Sequence, residues 1–156
     1  MSLRSQAFPE VQDLVLRFWA VVDETLDTAG ATLFTADGAL AIESFRAEGT
    51  EELTRYFAAR RALSAERQRR TRHLCTNLRR LPGDGMRVAA TITVFSGSGA
   101  SPLPLEAPSS LADFTFDCVE TPDGWRFRDV RGALIFAGAD TPDLKAAAEA
   151  ARGVPA

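Results

Sequence analysis

Thr71-Arg72-His73-Leu74-Cys75-Thr76-Asn77-Leu78-Arg79 carries the only histidine of the chain and sets it in a strand-like alternation. Side chains of a strand change sides at every residue, so His73, Cys75 and Asn77 share one face, with Leu74 and Leu78 on the other. Imidazole is the side chain whose unperturbed pKa lies near neutrality, and a single inward-facing histidine is therefore a candidate proton carrier. A core histidine satisfied by one hydrogen bond is the competing reading, and the surrounding chain has to weigh the two.

Downstream of this stretch the sequence keeps the same period. Pro82-Gly83-Asp84-Gly85 reads as a hairpin turn, followed by a β-rich run from Met86 to Phe95. Ser96 to Ser110 is rich in Ser, Gly and Pro and reads as a loop. Leu111 to Glu120 then alternates Phe114, Phe116 and Cys118 against Thr115, Asp117 and Val119. Thr121-Pro122-Asp123-Gly124 makes a second hairpin turn into a last strand from Trp125 to Phe136.

Upstream, the period changes to that of a helix. From Pro9 to Asp27 apolar residues fall at Val11, Leu14, Val15, Phe18, Val22 and Leu26, with Pro9 suited to a first turn. On a wheel of about 100° per residue, Asp23 stands beside Trp19 and Leu26 at the margin of the apolar stripe. Ala31 to Ala36 reads as a short second helix closed by the turn signal Asp37-Gly38, and Gly38 to Ala47 as a first strand. Thr50 is a natural N-cap for a further helix through Leu53, Tyr56, Phe57, Arg60 and Leu63. The arginines at the far end of that helix and beyond it (Arg60, Arg61, Arg67, Arg69, Arg70, Arg72) read as a solvated basic face. Helices followed by antiparallel strands joined by tight turns define an α+β fold, with the helices on one face of a sheet. One domain spans residues 8–138, and residues 139–156 form a tail or short helix.

Composition narrows the class. At 156 residues, with 46% hydrophobic and 25% charged, the chain has the balance of a globular domain. Its net charge, 18 − 21 = −3, gives no bulk attraction to nucleic acid. No apolar run reaches membrane-spanning length and no secretory h-region opens the chain, so the expected location is the cytoplasm. Two isolated cysteines, Cys75 and Cys118, with one histidine make no metal set. No Gly-rich phosphate loop follows a strand, and no cofactor is expected.

Phe18 to Phe34 with Asp23, the Thr71–Leu78 run, and Asp123-Gly124-Trp125-Arg126-Phe127 together resemble the nuclear transport factor 2-like superfamily, and within it the SnoaL-like group. The resemblance implies a cystatin-like cone: a curved, mostly antiparallel sheet wrapped around the long N-terminal helix, with an internal pocket. It also implies that Asp23 and His73 form the catalytic pair of the dehydratase and dehydrochlorinase members. His73 takes a proton from carbon, and Asp23 orients the ring and stabilises the imidazolium. The dehydratase pattern of a second histidine and active-site tyrosines is missing here. Val22 precedes Asp23, and Tyr56 is the only tyrosine. Asn77 and Arg131 are the candidate polar contacts in the cavity, and Trp19, Tyr56, Phe57, Phe114 and Phe116 its candidate apolar lining.

Two functions fit these residues. One is a cofactor-independent lyase or isomerase, dehydratase- or cyclase-like, acting on a small hydrophobic, cyclic substrate by Asp–His acid–base chemistry. The other is a noncatalytic ligand-binding or assembly module of the same fold. An apolar convex face with Leu74, Leu78 and Val119 further predicts a homo-oligomer, a twofold dimer most simply or a trimer.

Overall fold

The fold is described from a computed structural model over residues 3–138. Helix α1 (Leu3–Val22) leads into a 3-10 turn (Gly30–Leu33) and strand β1 (Phe34–Ile42). Then follow β2 (Phe45–Glu48), α2 (Gly49–Glu66), β3 (Arg69–Arg80), β4 (Met86–Ser98), β5 (Ser110–Thr121) and β6 (Gly124–Ala137). The six strands form one sheet in the order β2-β1-β6-β5-β4-β3. Every neighbour pair is antiparallel except β1 with β6, which run parallel.

The alternation seen in the sequence is what builds the concave face. Met86, Val88, Ala90, Ile92 and Val94 of β4 point inward with Ala112, Phe114, Phe116 and Cys118 of β5. Against them α1 lays Val11, Leu14, Val15, Phe18, Trp19 and Val22, all buried. Phe18 is the hub, 1% exposed and edge-on to Trp19, Phe34, Phe57, Phe116 and Phe127. Truncating such a ring to alanine costs about 3–5 kcal/mol.

Several local expectations are corrected. α1 ends at Val22 rather than near Asp27, and Pro9 lies inside it instead of in its first turn. Asp37-Gly38 does not close a helix but lies within β1, where a register shift between Phe34 and Ala39 absorbs it. The segment read as one strand to Ala47 is the β1–β2 hairpin. The cap of α2 is Glu48, whose backbone N–H donates to Glu52 Oε2 at 2.8 Å, so Thr50 is not the cap. β4 continues to Ser98, which shortens the loop to residues 99–109. The expected tail, 139–156, lies outside the described residues.

A bulge has the largest effect. The β3–β4 register shifts between Thr76 and Arg79, with Asn77 at φ 54°, a left-handed conformation that asparagine tolerates. An extra residue inverts the parity of everything after it, so Leu78 packs against the core and Asn77 is exposed. Ahead of the bulge the expected order holds: Thr71, His73 and Cys75 face inward and Leu74 outward. On the outer face Leu74 stands opposite Thr93, Thr93 opposite Leu111, and Leu111 opposite Phe136, a row ending in exposed rings and methyls.

Candidate active site

Asp23 is the first residue past α1. Its N–H still donates to Trp19 O at 2.9 Å, and Glu24, at φ 58°, turns the chain away. A carboxylate at a helix C-terminus meets the negative end of the dipole, so it needs donors. β3 supplies three. Thr71 Oγ1 donates to Asp23 Oδ1 at 2.7 Å, the His73 backbone N–H to Oδ2 at 2.7 Å, and His73 Nδ1 lies 2.6 Å from Oδ1. β3 is the last strand of the sheet, and a strand at an edge can spare a backbone N–H for a side chain.

The pair is sealed. The side chains of His73 and Asp23 are 8% and 6% exposed. Burial pushes the Asp23 carboxyl up, but the hydrogen bonds and charge of His73 and the Thr71 hydroxyl hold it below its ordinary range. Burial also pushes His73 below its ordinary value, outweighing the Asp23 carboxylate that pulls it up, with the cations of Arg60 and Arg69 adding to the lowering. The two directions are compatible with an ionised aspartate beside a neutral imidazole. Nδ1–H then donates to Asp23, and Nε2 keeps its lone pair. Nε2 has no hydrogen-bond partner among the described residues.

Trp19, one helical turn before Asp23, stacks on the imidazole with ring centres 4.8 Å apart and planes 15° apart. Phe114 meets the indole edge-on at 4.9 Å. These rings border a hollow of about 50 Å³, lined also by His73, Tyr56, Arg60 and Ile92. That is room for a few small-molecule atoms, well below the volume of a typical ligand pocket. Val22 borders this hollow and two larger grooves, one of about 440 Å³ over Asp23 and Thr71 and one of about 260 Å³ beneath α2.

The structure brings Asp23 and His73 together and places Trp19, Tyr56 and Phe114 on the hollow. It separates the others. Phe57 lines the groove beneath α2, and Phe116, 0% exposed, belongs to the solid core with Phe18 and Phe127. Asn77 is carried to solvent by the bulge. Arg131 is exposed and donates to Asp129, its neighbour two residues back on β6, because Phe127 and Val130 take the inward positions of that strand. Burial raises the Cys75 thiol and, with Asp117, pushes Cys118 up to about 12, so neither supplies a thiolate. Among the described residues no group of three or more His, Cys, Asp or Glu is placed to hold a metal, and no helix is long and apolar enough to cross a membrane.

Two participants were not singled out from the sequence. Thr71 sits two residues before His73 on the same strand face, so the alternation itself points to it. Arg60 follows Leu53 and Tyr56 at spacings of seven and four, the stripe by which α2 faces the core, although its charge and its arginine neighbours suggest solvent.

The α+β fold, with its buried histidine–carboxylate pair, defines a structural class, and sequence comparison makes the assignment. The family model of the SnoaL-like domain matches residues 4–131, and the chain belongs to that family, within the nuclear transport factor 2-like superfamily. No curated protein matches the chain. Among solved structures, it is similar to a nuclear transport factor 2-like protein with a cystatin-like fold from Novosphingobium aromaticivorans, at 23% identity over 94% of this chain and 88% of that one, with a TM-score of 0.66. A candidate dehydratase of the same superfamily from Streptomyces avermitilis is 19% identical over 87% of this chain and 100% of that one, with a TM-score of 0.65. ActVI-ORFA from Streptomyces coelicolor is 15% identical over 82% and 96%, with a TM-score of 0.64. Likeness at these identities establishes the cystatin-like fold.

Proposed function

We propose that this domain is a cofactor-independent lyase or isomerase acting in the cytoplasm on a small hydrophobic, cyclic substrate. His73 is its general base and Asp23 orients that base. One observation carries the reading: the 2.6 Å contact of Nδ1 with a carboxylate that two further donors fix in place, which leaves Nε2 as the open lone pair. Nε2 takes a proton from carbon. Asp23 stabilises the imidazolium that results, and the same proton is then returned, either to another carbon or to a departing group. That one of the similar structures is a candidate dehydratase agrees with this chemistry.

The volume of the hollow favours a second reading, a noncatalytic ligand-binding or assembly module. A space of about 50 Å³ admits the reacting edge of a ring but not the whole of it. Under the catalytic reading the remainder of the substrate occupies an adjoining groove after Val22 moves aside.

The test is carbon-acid exchange. Small cyclic ketones and hydroxyketones are incubated with the protein in deuterium oxide, and label uptake or alkene formation is followed by NMR. Turnover that falls about 10²- to 10⁴-fold in both His73→Ala and Asp23→Asn is expected for a positioned base. Turnover undiminished in either variant refutes the catalytic assignment, and ligand binding without any exchange supports the module.

A further inference from the structure

Two buried donors beside His73 have no partner. Trp19 Nε1 and Arg60 Nε are both shut off from solvent, and neither has a hydrogen-bond acceptor. They belong to residues lining the same hollow as His73. The Arg60 guanidinium also makes no ion pair with any described residue. A buried donor left unmade costs about 1–3 kcal/mol, more when it is charged, so two of them around one small apolar space ask for an acceptor from outside the chain. The lining's own acceptors, the Tyr56 and Ser110 hydroxyls and His73 Nε2, bond to neither donor. Phe18, Ile42, Ile92, Ala112 and Leu134 are apolar, and the Asp23 carboxylate is already occupied by Thr71 and His73.

Resting on the proton-transfer reading above, we propose that the Trp19 indole N–H and the Arg60 guanidinium form an oxyanion receiver. The substrate class of the hollow is then a carbonyl compound whose acidic C–H lies next to the carbonyl group. The step balances within the site. His73 Nε2 takes the proton, the C–H electron pair becomes the second bond between the two carbons, and the carbonyl π pair moves to oxygen. The enolate oxygen carries the negative charge to Arg60 and Trp19. Where an alkene is conjugated with the enolate, the electron pair returns through it and the γ carbon takes the proton back from the imidazolium, giving an isomer; otherwise the pair expels a leaving group from the β carbon, which the imidazolium protonates, giving an alkene. Donors already held in a water-poor site are worth most where charge develops. The charge of Arg60 reaches the imidazole, where it works against protonation. A cation in that position opposes an imidazolium standing alone and favours one formed together with an enolate. The size of the hollow suits this division, because a carbonyl oxygen and its neighbouring carbon are the part that must enter.

The receiver is testable without knowing the substrate. Cyclohexane-1,3-dione, an enolate at neutral pH, and acetate are titrated into the full chain, with neutral cyclohexane-1,3-diol as control. Nitrogen–proton spectra report the Arg60 Nε–H and the Trp19 indole, which Trp125→Phe separates from the only other indole. At least one anion should shift both signals while the diol shifts neither. Arg60→Gln should weaken that anion roughly ten- to a hundredfold, the loss expected for a charge-assisted hydrogen bond. Trp19→Phe should weaken it less, and Arg60→Lys should fall between. Silence of both signals up to tens of millimolar anion, or an affinity unchanged in Arg60→Gln, overturns the proposal. His73→Ala separates this idea from the one it rests on. If that variant keeps Arg60-dependent anion binding together with full turnover, the base assignment fails and the receiver stands. If it loses turnover while Arg60→Gln leaves anion affinity unchanged, the receiver fails and the base stands.

Discussion

Replacing Asp23 with asparagine is the most informative single change, because it keeps the shape of the side chain and reverses part of its hydrogen bonding. The carboxylate accepts from Thr71 Oγ1, the His73 N–H and His73 Nδ1, all within 2.7 Å. An amide offers one acceptor oxygen, so its NH₂ must face at least one of these donors. Removing a charged acceptor from a buried hydrogen bond costs about 1.5–3 kcal/mol. With 6% of the side chain exposed, solvent offers little compensation. A loss of about 2–3 kcal/mol corresponds to a fall in Tm of roughly 4–12 °C for a domain of this size. The amide has a second consequence. Where its NH₂ faces Nδ1 it favours the tautomer protonated at Nε2, which removes the lone pair from the hollow. Long-range nitrogen–proton NMR of the single histidine reads both states directly. The wild type should show Nδ1–H with a bare Nε2 at neutral pH, and the variant should shift toward Nε2–H. A wild-type ring that is protonated at Nε2 at neutral pH, or a variant with unchanged Tm and unchanged tautomer, refutes the reasoning.

Thr71→Val keeps volume and removes one donor. It should lower Tm by a few degrees, raise the Asp23 pKa toward its ordinary value, and reduce turnover less than Asp23→Asn does; a Tm equal to wild type would show the Thr71 bond to be dispensable. Stability should fall in two steps on acidification. Because burial holds His73 below its ordinary 6.5, the unfolded chain takes up that proton first, so stability is complete above 6.5 and declines as pH falls from there toward the folded value. Asp23 adds stability that is complete above 3.8 and is lost as pH falls through its lower folded value. His73→Gln should abolish the first step in a series of melts, and an NMR titration placing His73 above 6.5 would contradict the sign. The outer row Leu74, Thr93, Leu111 and Phe136 predicts self-association, and Leu74→Glu with Phe136→Glu should convert a sedimenting dimer to monomer. A wild type already monomeric at tens of micromolar refutes it.

The inward residues of β4 and β5 and the stripe of α1 were legible because each is an unbroken periodic signal, and Asp23 and His73 lie on those signals. Asn77 and Leu78 were misplaced because one bulged residue reverses parity, and nothing in the run Thr76-Asn77-Leu78 announces it except an asparagine suited to positive φ. Arg60 reads as solvent-facing because the arginines around it mask the spacing that carries it to the core. The volume of the hollow was beyond sequence reasoning, since it depends on how rings settle against backbone. A Cβ at Gly132 would lie 2.4 Å from Phe114 Cζ, so only glycine there lets that ring lie where it borders the hollow.

The parallel seam between β1 and β6 bears on how the molecule is made. Leu40 pairs with Val130, 130 − 40 = 90 positions away, and β1 has only the four-residue β2 on its other side. While the nascent chain is being made, β1 has only β2 as a mate until β6 has emerged. Final closure therefore waits for β6, with β1 and the apolar side of α1 among the surfaces a chaperone meets first.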